Sequence, residues 1–133
     1  MEVFRATNPK IAGLMKFFDD KNSSAKDDGL ELFRLMTNTP NTICTIVIFN
    51  GNELVGQTCG CLHENKNFIW SFNSWVKPGV DKKYPELGIN KVKEWSIDSF
   101  DIHEMRCETF RNPKAMNRAY GWLDYSSIMT IEF

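Results

Sequence analysis

One stretch constrains the fold more than any other. Residues 68–110 read as a strand, a loop, a helix and a second strand. Phe68, Trp70 and Phe72 alternate along the first strand, Phe68 to Val76. Ile69, Trp75 and Val76 break that alternation, which predicts burial on both faces or a bulge near Asn73-Ser74. A loop from Lys77 to Tyr84 leads into a helix from about Pro85 to Phe100. Pro85 suits a first helical turn and Glu86 its positive end. Ile89, Val92, Ser96 and Phe100 share one face, Trp95 lies beside them, and Asp101 closes the helix. The next strand, about His103 to Phe110, alternates Met105, Cys107 and Thr109 with Glu104, Arg106 and Glu108. Strand, crossover helix and strand of these lengths make a right-handed βαβ unit with two parallel strands. Ligands of open α/β sheets sit at the carboxyl ends of such strands, against a helix N-terminus. A site is therefore expected where residues 77–90 leave their strand.

The flanking segments supply the other layers. Glu2 to Ala6 is a short strand. Asn8-Pro9 starts a helix, Asn as cap and Pro as first helical residue, with Ile11, Leu14, Met15 and Phe18 at helical spacing. The polar run Asp19 to Asp28 ends that helix and reads as a flexible link, the kind of loop that often carries substrate contacts. Asp27 or Asp28 then caps a second helix bearing Leu30, Phe33 and Met36. Pro40 ends the helical region. Thr42 to Phe49 and Glu53 to Leu62 flank Asn50-Gly51, a hairpin signal in which both central residues take positive φ. Asn112-Pro113 repeats the helix start, with Ala115, Met116, Ala119, Tyr120 and Leu123 on that helix, and Ser127 to Phe133 is a final strand. The order is β-α-α-β-β-β-α-β-α-β in one α/β (α+β) domain spanning 1–133.

Composition narrows the function. A net charge of −1 lacks the positive footprint of a dedicated nucleic-acid binder. Cys44, Cys59, Cys61 and Cys107 all fall in strand-like stretches, and His63 and His103 are the two histidines. That fits buried reduced thiols better than a disulfide or a metal site, and no metal centre is expected. No charged leader precedes an apolar run, and no apolar stretch approaches about 18 residues. A soluble cytoplasmic protein with no membrane association is expected. No Gly-x-Ser-x-Gly, Walker loop or His-Glu-x-x-His occurs, so hydrolase, NTPase and zincin chemistry have no support.

Three stretches resemble the GNAT superfamily of acyl-CoA-dependent N-acetyltransferases. Trp75-Val76-Lys77-Pro78 resembles the end of that family's fourth strand. Gly88-Ile89-Asn90 is similar to the Gly-Ile-Gly close of its pyrophosphate loop. Asn112-Pro113-Lys114-Ala115, followed by Tyr120-Gly121-Trp122-Leu123-Asp124-Tyr125, resembles its Asn-x-x-Ala and Tyr-x-x-Leu-Gly-Phe, with one extra residue between them. The element order agrees along nearly the whole chain. The resemblance implies a mixed, mostly antiparallel sheet flanked by helices, with strands 68–76 and 103–110 parallel and splaying at their carboxyl ends. The departures are local. The loop from Gly79 to Asn90 is longer than usual, Asn90 stands where a glycine is expected, Pro85 removes a donor and Glu86 adds negative charge. Asp124 replaces a glycine, and strand 68–76 lacks the acidic residue that many members use as a base.

The same resemblance implies acetyl-CoA as co-substrate and a small-molecule or peptide amine as acceptor, with direct transfer in a ternary complex; a homodimer is compatible with it. It places the donor against Trp75, Val76, Lys82, Lys83, Gly88, Ile89, Asn90 and Asn112. The amides of Gly88 to Asn90, at the helix start, would bind an anion with Lys82 and Lys83 assisting. Tyr120 matches the tyrosine that protonates the leaving thiolate; otherwise it is an amphipathic aromatic packing its helix, and Asn112 is otherwise only a cap. Glu104, Arg106 and Glu108 could form a carboxylate–Arg row near the amine, or a solvated face. The other reading is a GNAT-like domain without turnover, serving as a binding or structural protein. Its Asn/Lys/Ile/Phe-rich composition would suit an AT-rich phage or bacterial source.

Overall fold

The computed structural model describes residues 1–12, 23–72, 74–108, 123–125 and 128–133. Strand β1 (Glu2–Ala6) leads into α1 (Pro9–Ala12), then α2 (Ser23–Asn38) and a 3₁₀ turn (Pro40–Thr42). Asn8 caps α1 as its sequence demands: its Oδ1 accepts from the Lys10 N–H at 3.0 Å and its carbonyl from the Ile11 N–H at 3.1 Å. Helix α2 begins earlier than Asp27 or Asp28, so the polar link is helical from Ser23 onward. Its buried face agrees with the expected one at Met36 and differs at the other two positions. Leu32 and Met36, four residues apart, are buried, whereas Leu30 and Phe33 are exposed.

Strands β2 (Ile43–Asn50) and β3 (Glu53–Leu62) form the expected hairpin, with a shifted turn. Asn50 pairs with Glu53, so the central residues are Gly51 and Asn52, and of these only Gly51 has positive φ (61°). Glycine at the first central position relieves the second of any need for the left-handed region. The remaining elements are β4 (Ile69–Ser71), β5 (Trp75–Val76), α3 (Lys83–Phe100), β6 (Glu104–Glu108), β7 (Leu123–Tyr125) and β8 (Ile128–Glu132). Leu123, expected on a helix, lies in β7, which pairs antiparallel with β8.

The described strands form one sheet in the order β1-β2-β3-β4-β6-β8-β7, with β5 added to β3. Only β4 and β6 are parallel, so the sheet is mixed and mostly antiparallel. One face packs α3 through Ile46, Ile69, Val92, Trp95, Met105 and Met129. The other packs α2 through Ala6, Leu32, Met36, Ile43, Val47 and Cys59. Among the described residues no helix is long and apolar enough to cross a membrane.

Helix α3 is seated on β3 through a glycine. A Cβ on Gly60 would lie 2.8 Å from both Ile69 Cγ2 and Val92 Cγ1, and both of those side chains are fully buried. Gly60→Ala is expected to lower the unfolding free energy by about 1–3 kcal/mol through overpacking. Urea unfolding checks this; an unchanged midpoint would mean that the helix can lift off β3 at no cost.

The far end of α3 is closed by Asp101, in the left-handed region (φ 53°, ψ 39°), whose N–H bonds the Ile97 carbonyl at 2.9 Å. His103 follows, exposed, with Nε2 3.0 Å from Asp101 Oδ1 and Nδ1 2.6 Å from the main-chain oxygen of Phe133. Asp101 first, then the Phe133 oxygen, favour the imidazolium and raise its pKa. The linkage therefore stabilises the fold at pH below the unfolded histidine pKa, and that contribution disappears as pH rises through the folded value. An NMR titration should put the His103 midpoint above the ordinary value of about 6.5, and Asp101→Asn should lower it. A midpoint at or below the ordinary value would mean that the contacts do not form in solution.

Candidate functional site

The two parallel strands meet and then part. β4 and β6 pair at Ile69↔Met105 and Trp70↔Arg106 only. β6 continues beside β8, through Cys107↔Met129 and Glu108↔Ile128. The chain after β4 turns the other way: Trp75 pairs with Gln57 and Val76 with Gly56, both on β3. From Ser71↔Gly60 to Trp75↔Gln57 the β4–β5 side advances four residues against three on β3. One residue is thus extra, a bulge that bends its strand. The expected continuous strand 68–76 is therefore two short ones, and an opening separates β5 from β6 at their carboxyl ends.

Ser74 makes the bulge tolerable. Phe72 N–H still reaches the Cys59 carbonyl at 3.3 Å, but among the described residues the Cys59 N–H meets a side chain rather than a strand carbonyl. It donates instead to Ser74 Oγ at 3.0 Å. That hydroxyl also lies 3.3 Å from Ser71 Oγ and 3.4 Å from the Phe72 carbonyl. A side chain thus replaces a ladder bond at the point where the strand bends away. Lys77 N–H rejoins β3 at the Val55 carbonyl, 2.8 Å.

The walls of the opening offer no nucleophilic thiol. Burial holds the Cys107 thiol up at about 11, opposed by a weaker contact from the Met129 backbone. Cys44 and Cys61 are likewise pushed up to about 11, and Cys59, the most deeply buried, higher still. At neutral pH the described cysteines are thiols, poor acyl acceptors. On β6, Arg106 bonds Glu104 at 3.0 Å and sits 4.0 Å from the Phe68 ring centroid, so these two members of the charged row hold each other. The Glu108 side chain lies outside the described residues.

Helix α3 starts at Lys83, one turn before Gly88. The amides of Gly88, Ile89 and Asn90 therefore lie within the helix and are used by its own bonds, which corrects their expected place at its open end. Gly88 has a packing role instead: a Cβ there would meet Thr58 Oγ1 at 2.9 Å. Ile89 packs against the core and Asn90 is exposed. The true first turn is already satisfied. Lys83 N–H donates to Asp81 Oδ1 (3.0 Å), Tyr84 N–H to the Asp81 carbonyl (3.1 Å) and Glu86 N–H to the Lys82 carbonyl (3.0 Å), while Pro85 has no N–H. Lys82 and Lys83 are exposed, and the Lys83 ammonium lies 5.1 Å from the Tyr84 ring centroid.

Of the expected site residues, the structure brings Trp75 and Val76 to one wall of the opening and Lys82 and Lys83 to the start of α3. Tyr120 and Asn112 lie outside the described residues. Sequence reasoning placed a bulge near Asn73-Ser74 without giving Ser74 its bond to Cys59, and it missed Asp81. Asp81 carried a signal, a capping residue type four positions before a first-turn proline. Ser74 carried only the broken alternation around it. A separate open groove of about 370 Å³ lies along the other half of α3, lined by Arg5, Cys44, Lys91, Glu94, Trp95 and Asp98. Its lining comes from β1, β2 and α3 and includes no residue of β4, β5 or β6.

Ser74→Ala should strand the buried Cys59 N–H and cost about 1–3 kcal/mol. Chemical denaturation measures it, and a loss well below 1 kcal/mol would show that another group or water serves that donor.

No protein-family model matches the sequence, and no curated protein sequence matches it. Solved structures do match. The chain superposes on an aminoglycoside 6′-acetyltransferase type Ii with TM-score 0.75 and 11% identity, covering 99% of this chain and 97% of that one. An acetyltransferase of the GNAT family from Streptococcus pneumoniae matches with TM-score 0.71 and 14% identity, over 99% and 98%. The spermidine/spermine N-acetyltransferase of Vibrio cholerae matches with TM-score 0.64 and 13% identity, over 98% and 91%. At such identities the likeness is one of fold.

Proposed function

We propose that this chain, which has the GNAT acetyltransferase fold, is an N-acetyltransferase moving an acetyl group from acetyl-CoA to a small-molecule or peptide amine by direct transfer. The observation that carries the reading is the opening between β4–β5 and β6, where the strands pair at two positions and then part. An extended thioester arm can lie along the outer edge of β5, whose inner edge is taken by Gln57 and Gly56. The high thiol pKa values of the described cysteines favour direct transfer over an acyl-cysteine intermediate. In this reading Trp75 and Val76 form the donor wall, Asn112 contacts the donor, and Tyr120 protonates the leaving thiolate. The acceptor amine would enter neutral, and the proton its nitrogen loses on becoming an amide would restore the one that Tyr120 gives to the thiolate.

A second reading, a GNAT-fold binding or structural domain without turnover, is favoured by the satisfied first turn of α3. Thermal unfolding with acetyl-CoA separates the two. Ligand at 100 times its Kd should add about 2.7 kcal/mol, and no shift at millimolar acetyl-CoA would favour the second reading. Tyr120→Phe then tests the acid. Turnover should fall by about 10²–10⁴-fold, with a stability change near that of one hydrogen bond, about 1 kcal/mol. Unfolding of Tyr120→Phe with unchanged turnover per folded molecule would make the residue a packing one.

A further inference from the structure

We infer that this chain selects its acyl donor by the acyl-pantetheine arm and gains little from the phosphate-rich nucleotide end beyond it. The inference rests on the acetyltransferase reading and refines it to a donor class: acyl thioesters of pantetheine, largely regardless of what the arm is attached to.

A helix N-terminus binds phosphate when its first N–H groups are free and point outward. Here each first-turn donor is either bonded or missing. Asp81 Oδ1 takes the Lys83 N–H, the Asp81 carbonyl takes the Tyr84 N–H, Pro85 has none, and the Lys82 carbonyl takes the Glu86 N–H. The Asp81 carboxylate thus occupies the place of an anion at this helix end and supplies its charge. A diphosphate approaching the same end would have to displace a covalently tethered anion.

Charge does not compensate. Asp81 and Glu86 carry two negative charges and Lys82 and Lys83 two positive ones, so this turn is neutral overall. Both lysines are exposed, where screening at physiological salt limits their reach to about 8 Å. The Lys83 ammonium is drawn over Tyr84. The parting of β5 from β6, by contrast, follows from their pairing with β3 and β8 and involves none of these residues. Recognition of the arm and recognition of the phosphates are thereby uncoupled in this chain.

Calorimetric titration of the whole protein with CoA, pantetheine and adenosine 3′,5′-bisphosphate tests this. The Kd values of CoA and pantetheine should agree within about tenfold, and adenosine 3′,5′-bisphosphate should give no heat. A CoA preference larger than that, or binding of the bisphosphate alone, would overturn the inference while leaving the acetyltransferase reading standing. Binding of neither CoA nor pantetheine would remove the acetyltransferase reading and the inference with it. The double change Lys82→Ala, Lys83→Ala provides an independent check on exposed residues. It should leave the ratio of the two Kd values unchanged; selective weakening of CoA by about tenfold or more would show that the ammonium groups do read the phosphates.

Discussion

The architecture around the opening depends on one hydrogen bond, from the Cys59 N–H to Ser74 Oγ. Cys59 is fully buried, so its N–H must find an acceptor or cost about 1–3 kcal/mol. A continuous strand opposite β3 would supply a carbonyl and would also keep β4 aligned with β6. Among the described residues the acceptor is instead Ser74 Oγ, from within the bulged segment. The strand can then bend while β3 remains satisfied along its length, from Gly60 through Cys59 to Gln57 and Gly56. The opening is therefore a by-product of how β3 completes its hydrogen bonds.

Helix α3 fixes the same strands from the other side. Gly60 on β3 and Gly88 on α3 both lack a Cβ where one would collide, with Ile69 and Val92 in one case and Thr58 in the other. Glycine inside a helix is disfavoured by about 1 kcal/mol relative to alanine, so its presence at 88 requires compensation. Close approach of the helix to β3 provides it, bringing Val92 and Trp95 into the core with Met105 and Met129. A glycine that resembles part of a phosphate-binding motif is thus accounted for by packing. The residue type is shared with the motif; the free amides that would make it a binding site are not.

How much of this was legible in the sequence varies with the range of the interaction involved. The Asn8 cap, the closure of α3 at Asp101 and the parallel pairing of β4 with β6 were all readable, because each follows from a cap, a helix stop or a crossover length. The break between β4 and β5 showed only as irregular alternation, since the bond that stabilises it joins residues 15 apart. The hairpin turn slipped by one residue because Asn50-Gly51 and Gly51-Asn52 are both acceptable turn pairs, and the β2–β3 register decides between them. The start of α2 was misplaced because a polar run can serve equally as a loop or as a helix's exposed first turns. Packing of Leu32 and Met36, which is tertiary, selects the helix. At the candidate site, Trp75 and Val76 lie in β5, paired with β3, whereas Gly88 to Asn90 lie inside α3 rather than at its start. Pro85 suits a first helical turn, but the helix begins two residues sooner, where Asp81 Oδ1 accepts from the Lys83 N–H.

The opening and the helix start are held by separate interactions, and that separation bears on how such a chain can diverge. Ser74, the bulge and β3 set the first; Asp81, Pro85 and Glu86 set the second. Neither set contains a residue of the other, and substitutions far apart with no shared partners act nearly independently. Changes that closed the helix end to phosphates would therefore leave the strand opening, the core and the topology in place. A fold match across 99% of the chain at 11% identity is the result expected when packing and strand order are kept while the loop between β5 and α3 is free to change. The bond that lets β5 bend away and the bonds that close the start of α3 can therefore be altered one without the other.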